Sequence, residues 1–438
     1  MSLTVVKFGG TSLASAEKFR QVADIIKADD TRKYVIASAP GKRFKGDFKM
    51  TDMFYLCYER AAAGENIDVL FNEITERYNE IAKELDLPIS LNYELSRIRN
   101  ALYNMAGRDY AASRGEYLNA MILARYMGCD FIDAREVIFF NNDGTFNAEY
   151  TNDVLSERLK KHERAVIPGF YGAMPNGTIK TFSRGGSDIT GSVVARAAKA
   201  DLYENWTDVS GFLMADPRVV DSPRAIETVT YRELRELSYM GATVLHEDAI
   251  FPVQIAGIPI NVKNTDRPDD RGTMIVPNST VYDTKNVITG IAGKKGFTAI
   301  NIAKDMMNCE VGFGRKVLSV LESKGISFEH LPSGIDTMSV IVKTAELAGR
   351  RDFILNAICQ EAHPDSITVE EGIALLAVVG RAMVKAKGTA AKVFKAIAEA
   401  EINIRMIDQG SDELNIIIGV DEADFEKAMN AIYKEFVS

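Results

Sequence analysis

The first place where residue types and spacing could do chemistry is Lys7-Phe8-Gly9-Gly10-Thr11-Ser12, a lysine closing an apolar run and followed by two glycines. Glycines between a strand and a helix let backbone N–H groups approach a phosphate, and the helix N-terminus adds a favourable dipole. Neither GxxxxGK[ST] nor GxGxxG is present, so this is not a Walker A loop or a dinucleotide fingerprint. Phosphoryl transfer is catalysed mainly by positioning and electrostatics, and a lysine beside such a turn suits a charge clamp on the transferring group. The same residues also suit an ordinary turn with a solvated lysine. A second stretch, Thr181-Phe182-Ser183-Arg184-Gly185-Gly186-Ser187-Asp188-Ile189-Thr190, adds an arginine and an aspartate. Arg184 can hold a carboxylate in a bidentate fork, and Asp188 can orient a lysine or a magnesium-bound group. Asp188 can equally be a helix cap.

These residues must be positioned by regular elements, and the apolar spacing supplies them. Residues 3–8 read as a strand and 19–26 as a helix; a strand at 34–37 leads into a basic loop, 41–49. Residues 52–128 read as almost continuous helix, broken at Gly64, at 86–90 and near Gly107. Short strands are expected around Phe131, Ile138, 165–168 and 178–182, then a helix after Asp188, a strand at 202–206, a helix around 242–256 and a strand at 259–263. Strands alternating with helices predict an α/β, doubly wound, mostly parallel sheet over residues 1–284.

From residue 287 the units shorten and repeat. Strand 298–303, helix 314–324, strands 326–331 and 337–342, helix 349–361 and strand 366–370 spell βαββαβ. A second copy runs through strand 374–379, helix 390–400, strands 402–407 and 413–420, and helix 422–436, and lacks a last strand. The run 287–292 can fill that edge. The expected division is therefore 297–370 inserted within a unit made of 285–296 and 371–438.

Composition narrows the functional classes. In 438 residues, 46% hydrophobic content can build several cores. A net charge of -9 disfavours nucleic acid and anionic membrane as partners. Four separated cysteines without a CxxC pair, no signal-like N-terminus and no apolar stretch of about 20 residues predict a soluble, unprocessed, cytoplasmic protein. His162, His246, His330 and His363 have no HxH or HExxH spacing, so no protein-held metal is expected.

Taken together, Lys7-Phe8-Gly9-Gly10-Thr11-Ser12, Arg184-Gly185-Gly186-Ser187-Asp188, Thr207-Asp208-Val209-Ser210-Gly211 and Ala215-Asp216-Pro217-Arg218 resemble the signatures of the aspartokinases, within the amino acid kinase family. The resemblance covers the whole chain, and the paired C-terminal repeats are similar to ACT domains. It implies transfer of the γ-phosphoryl of ATP, carried with Mg2+, to the side-chain carboxylate of L-aspartate, with Lys7 and Asp188 catalytic. Ser38, Thr51, Glu116 and Arg184 match residues around aspartate, with Glu116 holding its α-amino group; from the sequence alone Glu116 reads as an exposed helix carboxylate. Lys7, Gly9, Gly10, Ser12, Thr207, Asp208, Asp216, Arg218 and Lys263 match the nucleotide side, with Arg267 an alternative to Lys263. A lysine or threonine effector is implied at Met307, Gly312, Phe313, Ser333, Asp336 and Gln409, and a homodimer or higher homo-oligomer through the ACT domains. The alternatives are a catalytically inactive amino-acid sensor and a kinase of another amino acid such as glutamate.

Three positions depart from the family pattern. Leu213 stands where many relatives carry a tyrosine against the nucleotide, the loop 41–49 is longer than the usual glycine-containing loop, and Glu310 stands where lysine-regulated relatives often have serine.

Overall fold

A computed structural model describes residues 2–183, 185–241, 245, 249–281 and 286–437. In chain order it holds β1 (Thr4–Phe8), α1 (Ala16–Lys27), β2 (Arg32–Ala37), α2 (Met50–Ala62), α3 (Asp68–Glu84), α4 (Asn92–Tyr103), α5 (Arg108–Met127), β3 (Asp130–Phe131) and α6 (Ala148–Leu159). Then follow β4 (Ala165–Pro168), β5 (Tyr171–Ala173), β6 (Ile179–Thr181), α7 (Gly186–Ala198), β7 (Leu202–Thr207), β8 (Thr228–Thr230), α8 (Tyr231–Tyr239), α9 (Phe251–Ala256), β9 (Ile260–Asn264) and β10 (Thr273–Val276). The remainder is β11 (Gly290–Ala303), α10 (Phe313–Ser323), β12 (Thr337–Lys343), α11 (Thr344–Leu347), α12 (Arg351–Ala362), β13 (Ser366–Val379), α13 (Thr389–Glu399), β14 (Met406–Asp408), β15 (Asn415–Asp421) and α14 (Phe425–Val437).

The chain divides into two units, one of residues 1–212, 225–231 and 243–280, the other of 213–224, 232–242 and 281–438. The first is built on a sheet of order β3-β4-β2-β1-β7-β9-β10-β8, parallel at every pairing except β9 with β10. Its central strand β1 is buried along its length, and Val5, Val6 and Phe8 have no exposed surface. Strands covered on both faces lose the polar alternation of half-exposed ones, which is why β1 reads as a short continuous apolar run. Helix α7 packs on β1, β2 and β7, and α5 on β2, β3 and β4. The helical stretch 52–128 is four helices, with interruptions close to those read from the sequence.

Several short elements differ from expectation. Residues around Ile138 make only isolated bridges, Phe139 to Ala173 and Phe140 to Phe146, and β6 pairs with β5 in a separate hairpin. Of the helix expected around 242–256, residues 242–244 and 246–248 lie outside the described residues, and α9 forms its end.

The second unit is a five-stranded antiparallel sheet of order β12-β11-β13-β15-β14. Here the expected pairs of strands at 287–292 and 298–303, and at 366–370 and 374–379, are two single 14-residue strands, β11 and β13. Gly290–Lys294 lies alongside Leu375–Val379, and Phe297–Ala303 alongside Ser366–Ile373, with register shifts between Lys294 and Ala299. A bulge lets a strand absorb extra residues without ending, so a break in the pattern reads as a gap where there is only a kink. Residues 326–331 form no strand, only bridges from His330 to Ile341 and from Ser333 to Met338, and Pro332 between them has no N–H to give a ladder. Helices α10 and α12 close one core around Ile300, Val317, Val340 and Ile354, while α13 packs against α14. Among the described residues no helix is long and apolar enough to cross a membrane.

Candidate active site

Parallel pairing places Lys7 of β1 opposite Asn205 of β7, so both side chains leave the same face of the sheet, where α7 packs. The Lys7 ammonium lies 2.6 Å from Asp188 Oδ1, in the first turn of α7. Asn205 completes a triangle: its Nδ2 donates to Asp188 Oδ1 at 2.9 Å and its Oδ1 accepts from Lys7 Nζ at 3.4 Å. Lys7 is buried, and no side chain caps α7, whose cap residue is Gly185. The readings of a solvated lysine and a capping aspartate therefore both give way to a buried ion pair.

The turn after β1 presses on the segment after β2. A Cβ on Gly10 would come within 2.8 Å of the Ala39 carbonyl oxygen, and Gly41 N–H donates to the Gly10 carbonyl at 2.7 Å. Beyond the turn, Ser12 Oγ and Thr265 Oγ1 are 2.7 Å apart, and Thr265 N–H donates to the Thr207 carbonyl at 2.9 Å. Ser12, Thr207, Asp208 and Thr265, with Lys42 and Arg43, line a cleft of about 420 Å³. Lys42 and Arg43 come from the long basic loop, which Asp47 pins. Asp47 accepts from Arg43 Nε at 2.9 Å and from buried Arg77 Nη1 at 3.0 Å, while Arg77 Nη2 donates to the Ala14 and Gly41 carbonyls. Hydrogen bonding from Arg43, and then from Arg77, holds the Asp47 carboxyl well below the usual carboxylate range.

On the other side of the 38–41 segment stands α5. Ala111, Ala112, Ser113, Gly115 and Ala120 make this helix small on several sides, so it is buried around most of its circumference. Glu116 is buried with them, and burial pushes its carboxyl up to about 8 against weaker hydrogen bonds from its own and the Ala39 backbone. Among the described residues its Oε2 has no hydrogen-bond partner. Next to it, Asn119 Nδ2 donates to the Ser38 carbonyl at 2.7 Å, and Asn119 Oδ1 is likewise unpartnered among the described residues. Thr51 sits half-buried at the start of α2. Arg184 lies outside the described residues.

The remaining expected site residues make contacts of their own. Lys263 is registered with Trp206, on the sheet face opposite Lys7, and its ammonium sits 5.0 Å from the indole ring. Asp216 and Arg218 belong to residues 213–224 of the second unit, where Arg218 Nη2 lies 2.6 Å from Asp216 Oδ2. Also in that unit, Phe313 is buried in the core, Gly312 precedes α10, and Met307 packs on the same cluster. Asp336 Oδ1 accepts from Met306 N–H at 3.0 Å, Ser333 Oγ donates to the Leu331 carbonyl, and Gln409 follows Asp408, which pairs with His330 at 2.7 Å. Glu310 is held by Lys304 at 2.6 Å and Lys316 at 2.7 Å, and hydrogen bonds from these two push its carboxyl down to about 2.

Asn205, Asn119, Thr265 and the clamp from Asp47 to Arg77 carried no sequence signal of their own. Only register and folding place them.

A sequence model of the Amino acid kinase family matches residues 2–264, and one of the ACT domain matches residues 376–436. Over 452 residues the chain is 39% identical to aspartokinase 3 of Bacillus subtilis, covering 99% of this chain and 98% of that one. The chain belongs to the aspartokinases of the amino acid kinase family. Among solved aspartokinases, it is similar to the aspartate kinase of Clostridium acetobutylicum, with 52% identity and a TM-score of 0.95 over 99% of this chain and 100% of that one. It is also similar to aspartokinase III of E. coli, 25% identical, each chain covered fully. That enzyme was solved with aspartate and ADP in an R-state (TM-score 0.75) and with lysine and aspartate in a T-state (TM-score 0.74).

Proposed function

We propose that the Lys7–Asp188 pair and Glu116, whose Oε2 is unpartnered among the described residues, on either side of the 38–41 segment, are the two halves of one kinase site. The protein is an aspartate kinase. It transfers the γ-phosphoryl of ATP to the side-chain carboxylate of L-aspartate, giving 4-phospho-L-aspartate and ADP. The observation that carries the residue assignment is Glu116 Oε2, a buried oxygen without a partner among the described residues. A group of this kind is costly unless something pairs with it, and the α-amino group of an amino acid supplies the missing cation.

The aspartate carboxylate is itself the nucleophile and is ionised at neutral pH, so no general base and no covalent enzyme intermediate are needed. One of its oxygens forms the bond to the γ-phosphorus while the bond from that phosphorus to the β,γ-bridging oxygen breaks, and ADP leaves with the electron pair. The chain's task is to hold two anions together. Lys7 and the N–H group of Gly10 offset that repulsion as charge spreads over the transferring group, while the Gly9 N–H is given to the Trp206 carbonyl at 2.9 Å and holds the turn to β7. Ser12, Thr207 and Asp208 line the nucleotide cleft, and Ser38, Thr51 and Arg184 complete the aspartate side. Asp216, Arg218 and Lys263 are assigned to the nucleotide on the sequence resemblance. Magnesium would be carried in on the phosphate oxygens of the nucleotide, where it would offset their charge.

Residues 1–284 form the catalytic domain in this reading, 297–370 one ACT module, and 285–296 with 371–438 the other, supported by the pairing of Gly290–Lys294 with Leu375–Val379. Edge strands β12 and β14 offer a second copy a surface for dimerisation, and the turns at Ser333, Asp336 and Gln409 offer lysine or threonine a cleft. The reaction begins the lysine, threonine and methionine pathway, and a cytoplasmic location suits it. A coupled ADP-release assay with MgATP and aspartate, with glutamate in parallel, tests the proposal; glutamate outperforming aspartate would contradict it.

A further inference from the structure

We infer that Asn205 is a positioning residue for phosphoryl transfer, holding Lys7 and Asp188 as a pair that can still share its charge with the substrate. The inference rests on the kinase reading above and extends it to a residue in the interior of a strand.

A carboxamide is a neutral planar group that offers both a donor and an acceptor. Asn205 uses both, giving Nδ2–H to Asp188 Oδ1 at 2.9 Å and receiving Lys7 Nζ at its Oδ1 at 3.4 Å. Both of its partners are themselves joined at 2.6 Å, and Asn205 and Lys7 are buried while Asp188 keeps a partly exposed edge, so the triangle sits where water screens its charges only from one side. There an isolated lysine and aspartate attract each other strongly and would collapse onto one another. A donor on the same carboxylate oxygen takes up part of its charge and weakens that hold. The ammonium has three N–H groups; with one on Asp188 and one on Asn205, a third is left for a phosphoryl oxygen. The triangle is fixed from behind by backbone. Lys7 and Asn205 are registered partners in β1 and β7, and Tyr203, also in β7, donates its hydroxyl to the Asp188 carbonyl at 3.2 Å.

Leucine at this position keeps the branched shape and removes both polar contacts, whereas aspartate keeps the acceptor towards Lys7 and exchanges the donor towards Asp188 for a like charge. The titratable groups facing the new carboxyl are Lys7, Asp188 and the Tyr203 hydroxyl. Asn205→Leu is expected to lower kcat about 10- to 100-fold with KM for ATP and aspartate changed less than about 3-fold. In Asn205→Asp, two carboxylates share one lysine, and a proton taken up between them restores a donor as the pH falls. Its kcat relative to the parent should therefore rise at least about 5-fold between roughly pH 8.5 and pH 6. A merely structural side chain would give no such reversal.

The measurement is steady-state kinetics of the parent and both variants across that pH range, with thermal melting of each. Variants whose kcat stays within about 3-fold of an active parent, with parallel pH profiles, overturn the inference and leave the kinase reading intact. An inactive parent overturns both. If Asn205→Leu fails to fold, the pH profile of Asn205→Asp decides alone, a relative rise at low pH supporting the inference and a parallel profile refuting it.

Discussion

The Cβ of Ala39 lies 2.7 Å from the place a side chain on Gly115 would take, so α5 meets the segment after β2 with no room for a methyl group. This contact sets how deeply Glu116, the next residue, is buried beside the Ala39 backbone. Replacing Gly115 by alanine must move one element or the other. The expected outcome is a loss of about 1–3 kcal/mol in stability, the usual cost of overpacking. Aspartate KM should rise more than ATP KM. Chemical denaturation and steady-state kinetics check both, and an unchanged aspartate KM would separate Gly115 from the substrate site.

Glu116 also makes a pH prediction. Its carboxyl is raised from an ordinary 4.5 to about 8. Between these values the folded chain keeps a proton that the unfolded chain has lost, so this group's contribution is fully present below 4.5 and falls away as the pH rises towards 8. Glu116→Gln should flatten that part of the stability profile. Aspartate brings an ammonium that pairs with the ionised carboxylate, so its stabilising effect on the parent should grow over the same rise in pH and be weak in the variant. Melting curves with and without aspartate provide the test; equal shifts in both proteins at every pH would contradict it.

Asp47 is the counterpart on the nucleotide side. Asp47→Ala removes the partner of buried Arg77 and releases the loop that brings Lys42 and Arg43 to the cleft. Stripping a buried cation of its carboxylate costs about 3–5 kcal/mol. ATP KM should rise about 10-fold or more, with aspartate KM less affected. Asp47→Asn keeps a hydrogen-bond acceptor and should fall between the two. If the stable variant binds ATP as the parent does, the long loop has no part in the site.

How far the sequence reveals this arrangement depends on the scale of the feature. The strand, glycine turn and helix around Lys7 are visible because the chemistry is contiguous and the apolar run is short and bounded. The opposition of Lys7 and Asn205 is not, since it depends on which strands are neighbours, and an asparagine inside a strand carries no local mark. Glu116 reads as exposed because a charged residue on a helix usually is. The clue to its burial is the run of alanine, serine and glycine around it, which allows close packing on more than one side. The merged strands β11 and β13 show the opposite limit, where a bulge near Gly296 interrupts the pattern without ending the strand.

In the second unit, Asp336 fixes the segment around Met306 through its carboxylate and its carbonyl. Asp336→Ala and Gln409→Ala are expected to relieve inhibition by lysine, threonine or the two together, leaving uninhibited kcat within about 2-fold, as a coupling of about 1–3 kcal/mol between sites requires. Activity at subsaturating aspartate with millimolar effector, on the order of ten times its Kd, is the assay. Neither amino acid changing the rate, with no heat of binding by calorimetry, would leave the ACT modules a purely structural role.

The most direct measurement of the central claim is aspartate-dependent ADP release by the full chain with MgATP, run beside Lys7→Ala. The account predicts turnover that requires aspartate, a phosphorylated product trapped from the same reaction, and a kcat at least about 100-fold lower in the variant, the scale for losing one transition-state charge. A variant within about 3-fold of the parent would contradict the role of the Lys7–Asp188 pair, and a parent that releases ADP no faster with aspartate than without it would contradict the function itself.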